Sequence, residues 1–336
     1  MNLNTKSSKK TSSKISVISI LLIFVLLTLF AFGFGYNMGI KKIQPKLDEA
    51  IEIIEEITNE ENETKKAEEV SKAEQNDHLK KLGNEFVETA KIKHPDSEWS
   101  ILIKDIDTGN EFVYNNKKMN SASLIKLFMM EAVLKSVEEG TFTLTDGDNG
   151  YMVNLEKMIT ESNNNAANMF IDAFKGYDEE KRKVTEEHTI NKLIKSSGYE
   201  FTELNRKMHD KTPPGGPSGY QNYTSVKDIA ALYEGLYNGT LLNEENTKLA
   251  LRFLKNQQRT NKIPKKISKE YPDIVIANKT GELSSVENDA AIIYGDDYNV
   301  IFVVMTESSS NDITEKGKIQ ETISDISLKL VEFYEK

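Results

Sequence analysis

The chain has no cysteine. That excludes a disulfide framework, a thiol nucleophile and a cysteine-linked lipid anchor. Histidine is scarce, and His78, His94, His188 and His209 are scattered without the spacing of metal ligands. His78, His94 and His188 are expected as solvated or capping side chains. No metal or other cofactor is implied. Acidic residues are missing from residues 1–42, which hold six lysines. With a whole-chain charge of −10, that leaves −16 on residues 43–336. Nucleic-acid binding needs basic patches, so an acidic remainder argues against it. No internal repeat is visible.

What the chain does have begins with a gradient of polarity. Residues 1–14 carry Lys6, Lys9, Lys10 and Lys14. Residues 15–40 are uncharged and mostly apolar, longer than the roughly 20 residues needed to cross a bilayer as a helix. The apolar core of a cleaved signal peptide is shorter, about 7–15 residues. An uncleaved anchor is expected, with a lysine-rich cytoplasmic tail and the remainder outside the cell membrane. Residues 41–76 are rich in Glu, Lys, Asn and Ala and read as a charged stalk, helical or disordered. Leu47, Ile51, Ile54 and Ile57 form a short apolar stripe in it, and a coiled coil that pairs two chains is the alternative reading.

Residues 77–336 read as one domain. Leu79, Leu82, Phe86 and Ala90 recur at helical spacing. Trp99 to Ile106 and Glu111 to Tyr114 form a hairpin across Asp107-Thr-Gly-Asn110. Helices are expected from Ser123 to about Gly140, from Asn154 to Phe170 with a polar interruption, from Glu187 to Ser196 and from Thr224 to Tyr237. Strands return at Ile274 to Ala277, Asp289 to Tyr294 and Asn299 to Thr306. A C-terminal helix carries Ile319, Ile323, Ile326, Leu330 and Phe333. The fold class is therefore α/β: an antiparallel sheet built from both ends of the domain, flanked by N- and C-terminal helices, with a helical insertion.

The chemistry centres on Met119-Asn-Ser-Ala-Ser-Leu-Ile-Lys126. Small polar residues favour a helix start, so Ser123 is expected in a first turn with Lys126 on the same face. A serine is a weak nucleophile until a base takes its proton, and a lysine serves as that base once its pKa is lowered. Ser7-Ser-Lys-Lys10 has the same spacing in a segment unsuited to catalysis, so the motif needs partners. Ser162-Asn-Asn164 and Lys279-Thr-Gly281 supply them. Acyl transfer from an amide needs a donor for the departing nitrogen, and the Ser162 hydroxyl can relay that proton. Asn164 can hold the substrate amide. Lys279 and Thr280 offer a cation and a hydroxyl to a substrate carboxylate, and Lys279 can lower the pKa of Lys126. The oxyanion is assigned to the backbone N–H groups of Ser123 and Leu283. Gly281 lets a substrate lie close along the strand edge.

In these motifs the chain resembles the penicillin-recognising serine enzymes, specifically the class A β-lactamase branch. The resemblance spans about residues 79–335. It includes Met158-Ile-Thr-Glu-Ser-Asn-Asn-Asn-Ala-Ala-Asn168, which is similar to the helix around the family's second serine. It also includes Thr224-Ser-Val-Lys-Asp-Ile-Ala230, which is similar to the helix after the omega loop. It implies an α/β sandwich with an all-helical subdomain and a site at their junction.

Three departures stand out. The family's omega-loop glutamate, which activates the deacylating water, falls on Met208, or on His209 if the gap moves. Glu203 and Asp210 are nearby acids, and Asp210 or His209 is the candidate replacement base. Arg206 matches the loop arginine, whose acidic partner appears as Asn222. The carboxylate-binding arginine is replaced by Asn288, with Lys262 or Lys265 as candidate substitutes. The segment from Gly140 to Asn154 is trimmed, which implies a more open cleft. Three functions follow: a serine hydrolase that forms an acyl-enzyme with β-lactams, a cell-wall D,D-peptidase acting on D-Ala-D-Ala-type peptides, or a non-hydrolysing penicillin- or muropeptide-binding protein.

Overall fold

The computed structural model describes residues 40–208, 221–309 and 312–336. The chain divides into two compact units, Met1–Ser71 and Lys72–Lys336. In the first, the described residues are helical and belong to α1 (Ile40–Lys93). Its run of Glu, Lys and Ala favours helix. The span expected over residues 15–40 lies outside the described residues apart from Ile40. Among the described residues, no helix is long and apolar enough to cross a membrane.

In the second unit, α1 leads into β1 (Ser97–Asp105), β2 (Glu111–Tyr114) and the short β3 (Met119–Asn120). A single 3-10 turn, Ala122–Leu124, runs into α2 (Ile125–Glu138). Then come α3 (Tyr151–Thr160), α4 (Asn164–Ala173), β4 (Tyr177–Asp178), β5 (Lys183–Val184) and α5 (Thr189–Ser196). After these follow β6 (Tyr223–Thr224), α6 (Val226–Tyr237), α7 (Glu244–Lys255) and α8 (Ile263–Glu270). The chain closes with β7 (Val275–Glu282), β8 (Glu287–Tyr294), β9 (Asn299–Ser308) and α9 (Ile313–Tyr334).

β1, β2, β7, β8 and β9 form one antiparallel sheet in the order β2-β1-β9-β8-β7. The expected sheet from both ends of the domain is thus present, and β7, which carries Lys279-Thr-Gly281, is an edge. Both faces are covered, so β8 and β9 are buried along almost their whole length and carry the unbroken apolar runs Ala290 to Tyr294 and Val300 to Met305. Alternate residues still divide by side. Ile301, Val303 and Met305 join the core of the helical layer. Val300, Phe302 and Val304 face the terminal helices, packing with Phe86 of α1 and Ile323, Ile326 and Leu330 of α9.

The helical layer has α2 at its centre. From Ile125 to Leu134 every residue of α2 is buried, as expected for a helix with apolar residues on all sides. The helix expected from Asn154 to Phe170 is two. α3 stops at Thr160, Ser162 takes a positive φ of 59°, and the Asn163 side chain caps α4 by accepting the Ala166 N–H at 3.0 Å. α7 and α8 were not expected. His188 caps α5, accepting the Ile190 N–H at 3.2 Å. His94 departs from expectation: it is buried, with its ring nitrogens 2.5 Å from Glu315 Oε1 and 2.8 Å from Thr322 Oγ1.

Candidate active site

Ser123 lies in the 3-10 turn, just ahead of α2 rather than within its first turn. Two features hold that turn. β3 pairs with β6, and the Ser121 N–H donates to the Asn222 carbonyl at 2.9 Å. Ala122 takes a left-handed φ of 45°, which costs an L-residue about 1–2 kcal/mol. Such strain persists only where surrounding structure enforces it. Asn288 provides part of that enforcement. It is fully buried, and its amide donates to the Asn120 and Ser121 carbonyls at 2.9 and 3.3 Å.

Lys126 reaches back from α2, its Nζ 3.1 Å from Ser123 Oγ. The same amine donates to the Ser162 carbonyl and to Asn164 Oδ1, both at 2.7 Å. Neither oxygen has a proton to give, so each fixes one N–H. In the neutral amine, the remaining lone pair is then turned towards Ser123. Burial first, and then the Arg259 guanidinium, lower the Lys126 pKa to about 7. Arg259 shares the part expected of Lys279, since the repulsion between Lys126 and Lys279 acts on both amines. Lys279 is itself fully buried and held well below its usual range by burial, then by Lys126 and Arg259.

Ser162 Oγ stands between the two amines, 2.9 Å from Lys279 Nζ and 3.3 Å from Lys126 Nζ. Its positive φ lets carbonyl and hydroxyl both face Lys126. Lys279 also donates to the Thr280 carbonyl at 2.8 Å, and Thr280 is buried. Gly281 has a stricter reason to be glycine than substrate access. A Cβ there would stand 2.7 Å from the Ser121 carbonyl and 3.2 Å from Leu124, so β7 could not approach the nucleophile turn.

The oxyanion donor expected at Leu283 is corrected. The Leu283 N–H donates to the Val286 carbonyl at 3.0 Å, closing the β7–β8 hairpin. Hydrogen-bonded pairs alternate along an antiparallel ladder. The next pair, Glu282 and Glu287, is therefore the non-bonded kind, and the Glu282 N–H points to the free edge. Ser123 and Glu282 line one cavity of about 60 Å3 together with Asn164, Met208 and Gln221.

The deacylating side is apolar where it is described. Met208 lines that cavity, and its backbone is held both ways by Asn168 of α4, at 2.7 and 3.0 Å. Asp210 and His209 lie outside the described residues. Glu203 is drawn off to Lys118 at 2.7 Å. Arg206 donates through Nε to Gln221 Oε1 at 3.1 Å. Asn222 instead ties the loop backbone, accepting from Asn205 N and Arg206 N at 2.7 and 2.9 Å.

Both expected substitutes for the carboxylate-binding arginine are engaged in ion pairs, and only Lys265 is exposed. Lys262 is buried between Glu282 and Glu287, and Lys265 pairs with Glu321. The half-exposed cation on this flank is Arg259, on the α7–α8 loop. It donates to the Glu161 carbonyl at 3.1 Å and lies 3.4 Å from Glu282. Sequence spacing alone carried no signal for it. Among the described residues no cluster of His, Cys, Asp and Glu could hold a metal.

Solved structures share this fold. A β-lactamase from Sphaerobacter thermophilus aligns with 22% identity over 74% of this chain and 97% of its own, at a TM-score of 0.61. PBP-A aligns with 22% identity over 76% and 97%, at 0.64. A class A β-lactamase of the last common ancestor of Gram-negative bacteria aligns with 20% identity over 75% and 99%, at 0.62. No curated protein matches the chain. The model of the beta-lactamase enzyme family matches residues 81–147 and 153–334. With three-quarters of its length matched and Ser123, Lys126, Ser162 and Lys279 in one contact network, the chain belongs to the beta-lactamase enzyme family.

Proposed function

We propose that the chain acylates Ser123 with β-lactams, as a serine hydrolase of the β-lactamase type. The carrying observation is the Lys126 amine, with two N–H groups tied to pure acceptors and the third direction on Ser123 Oγ. Lys126 takes the Ser123 proton as Oγ attacks the carbonyl. The N–H groups of Ser123 and Glu282 hold the oxyanion. Ser162 passes a proton to the departing nitrogen. Asn164 sits beside the cavity, with its oxygen on Lys126. Arg259 gives the flank a positive charge suited to a substrate carboxylate. A fluorescent penicillin tests this: the full-length chain takes up label and Ser123→Ala does not. Labelling of Ser123→Ala equal to that of the wild type would reject the site.

A second reading is supported by Met208, which puts a thioether where a water-activating acid is needed. On that reading the chain is a D,D-peptidase or penicillin-binding protein that clears β-lactam acyl groups slowly. A variant of PBP-A has been captured as an acyl-enzyme with penicillin G. Release of D-alanine from a pentapeptide by the full-length chain would favour the peptidase. The apolar run at 15–40 supports a single-pass anchor with the site outside the cell. The stripe at Leu47, Ile51, Ile54 and Ile57 supports pairing of two chains through α1.

A further inference from the structure

The residue after Lys279-Thr-Gly281 is an acid, and a buried lysine grips it from the side. Glu282 and Glu287 are directly opposed at the closed end of the β7–β8 hairpin. Like charges in that register repel. Lys262, fully buried at the start of α8, lies between them, 2.6 Å from Glu282 Oε1 and 3.1 Å from Glu287 Oε2. Lys316 of α9 stands 3.0 Å from the other Glu287 oxygen. Burial pushes the Glu282 carboxyl up, but Lys262, then Arg259 and Lys316, outweigh it and hold the group below the usual range.

Burying such a chain of charges costs desolvation that well-packed apolar residues would not incur. Its location is what distinguishes it. Glu282 and Glu287 form a non-bonded pair, so the Glu282 N–H and C=O make no ladder bond to β8. The flanking pairs, Gly281 with Asn288 and Leu283 with Val286, hold the strand on either side, and the side chain is the further handle on the Glu282 peptide itself. We propose that Lys262 is a positioning residue for acyl transfer: by clamping the Glu282 and Glu287 side chains together, it fixes the Glu282 N–H beside Ser123, where the substrate carbonyl oxygen gathers charge. This rests on the acyl-enzyme reading above. As the Oγ–C bond forms, the carbonyl π pair moves onto oxygen and the Oγ proton passes to Lys126. When C=O re-forms, the C–N bond breaks and the nitrogen takes a proton through Ser162. The clamp serves the moment between these events.

The test reads the ester carbonyl band of the penicillin G acyl-enzyme by infrared difference spectroscopy on the full-length chain, with the acylation rate followed in parallel. Lys262→Met alone removes the cation between the buried Glu287 and the partly buried Glu282, leaving them only Lys316 and Arg259, and is expected to destabilise the fold. The informative variant combines Lys262→Met with Glu282→Gln and Glu287→Gln, removing the charges together and keeping the shapes. A misplaced oxyanion donor should slow acylation by about tenfold or more and move the ester band to higher wavenumber. Lys266→Met is the control. Lys266 lies on the same helix, but its ion pairs run to Glu321 and Asp325. It should lower the melting temperature and leave the band in place. An unmoved band with unchanged acylation in the triple variant overturns the proposal, as does an equal shift in Lys266→Met. No acyl band in the wild type overturns the acyl-enzyme reading and the proposal with it.

Discussion

Lys126 is surrounded by oxygens that accept its protons and by a serine that must lose one. With its pKa lowered to about 7 by burial and Arg259, its lone pair is present above that pH and absent below it. Acylation should therefore rise about tenfold per pH unit on the acid side and level off above about 7. A Lys126→Ala variant should lose acylation by 100-fold or more, on the order of a general base's contribution, while keeping its circular dichroism. A flat pH–acylation profile would remove Lys126 as the base. Met208→Glu should place a carboxylate against the cavity that Ser123 shares. Label on Ser123 should then decay faster than in the wild type, and an unchanged lifetime would mean that the side chain points elsewhere. At this scale, much of the contact network was legible: Ser123, Lys126, Ser162, Asn164 and Lys279 all meet. Glu282 was missed by one residue, because which N–H faces the edge depends on hairpin register, and a motif does not state register. Arg259 went unnamed, and Asn288 was read only as the replacement for an arginine, for a related reason. Each reaches the site through tertiary contacts that its local sequence does not encode.

At the scale of elements, close approach decides the design. β7 lies against the turn that carries Ser123 because position 281 has no side chain. Gly281→Ala should push the strand from the turn and lower acylation strongly, by tenfold or more, since small displacements of catalytic groups are costly. Its melting temperature should change less than its acylation rate; equal loss of both would point to general unfolding. Most strands and long helices could be read from periodicity. α2 was read from Ser123 to about Gly140 and runs Ile125–Glu138, although it is buried on all sides over its first ten residues. α7 left a signal that went unread: Asn243 at the cap, Glu244 and Glu245 in the first turn, Arg252 and Lys255 in the last. α8 has eight residues, too few turns for a period to declare itself.

For the molecule as a whole, strands at both ends of the domain correctly implied one sheet closed by the chain's two extremities. The helix expected near residue 77 begins earlier, since α1 starts at Ile40. The terminal elements are also fastened together: Lys93 Nζ stands 3.1 Å from Asp325 Oδ2, and His94 meets Glu315 and Thr322. A chain stopped after Tyr294 should consequently lack a cooperative melting transition, despite holding every motif residue. Cooperative melting of that fragment would show that the sheet can close without β9. The pairing of β1 with β9 joins Ser97 to Ser308 across the middle of the sheet. Contacts so distant in sequence carry a heavy loop-closure cost and slow folding. A ribosome makes about 5–20 residues per second, so the first strand must wait on the order of ten seconds or more for its neighbour. During that wait it presents an unpaired apolar edge. The pace of synthesis, and not sequence alone, therefore bears on how long this edge stays open to aggregation.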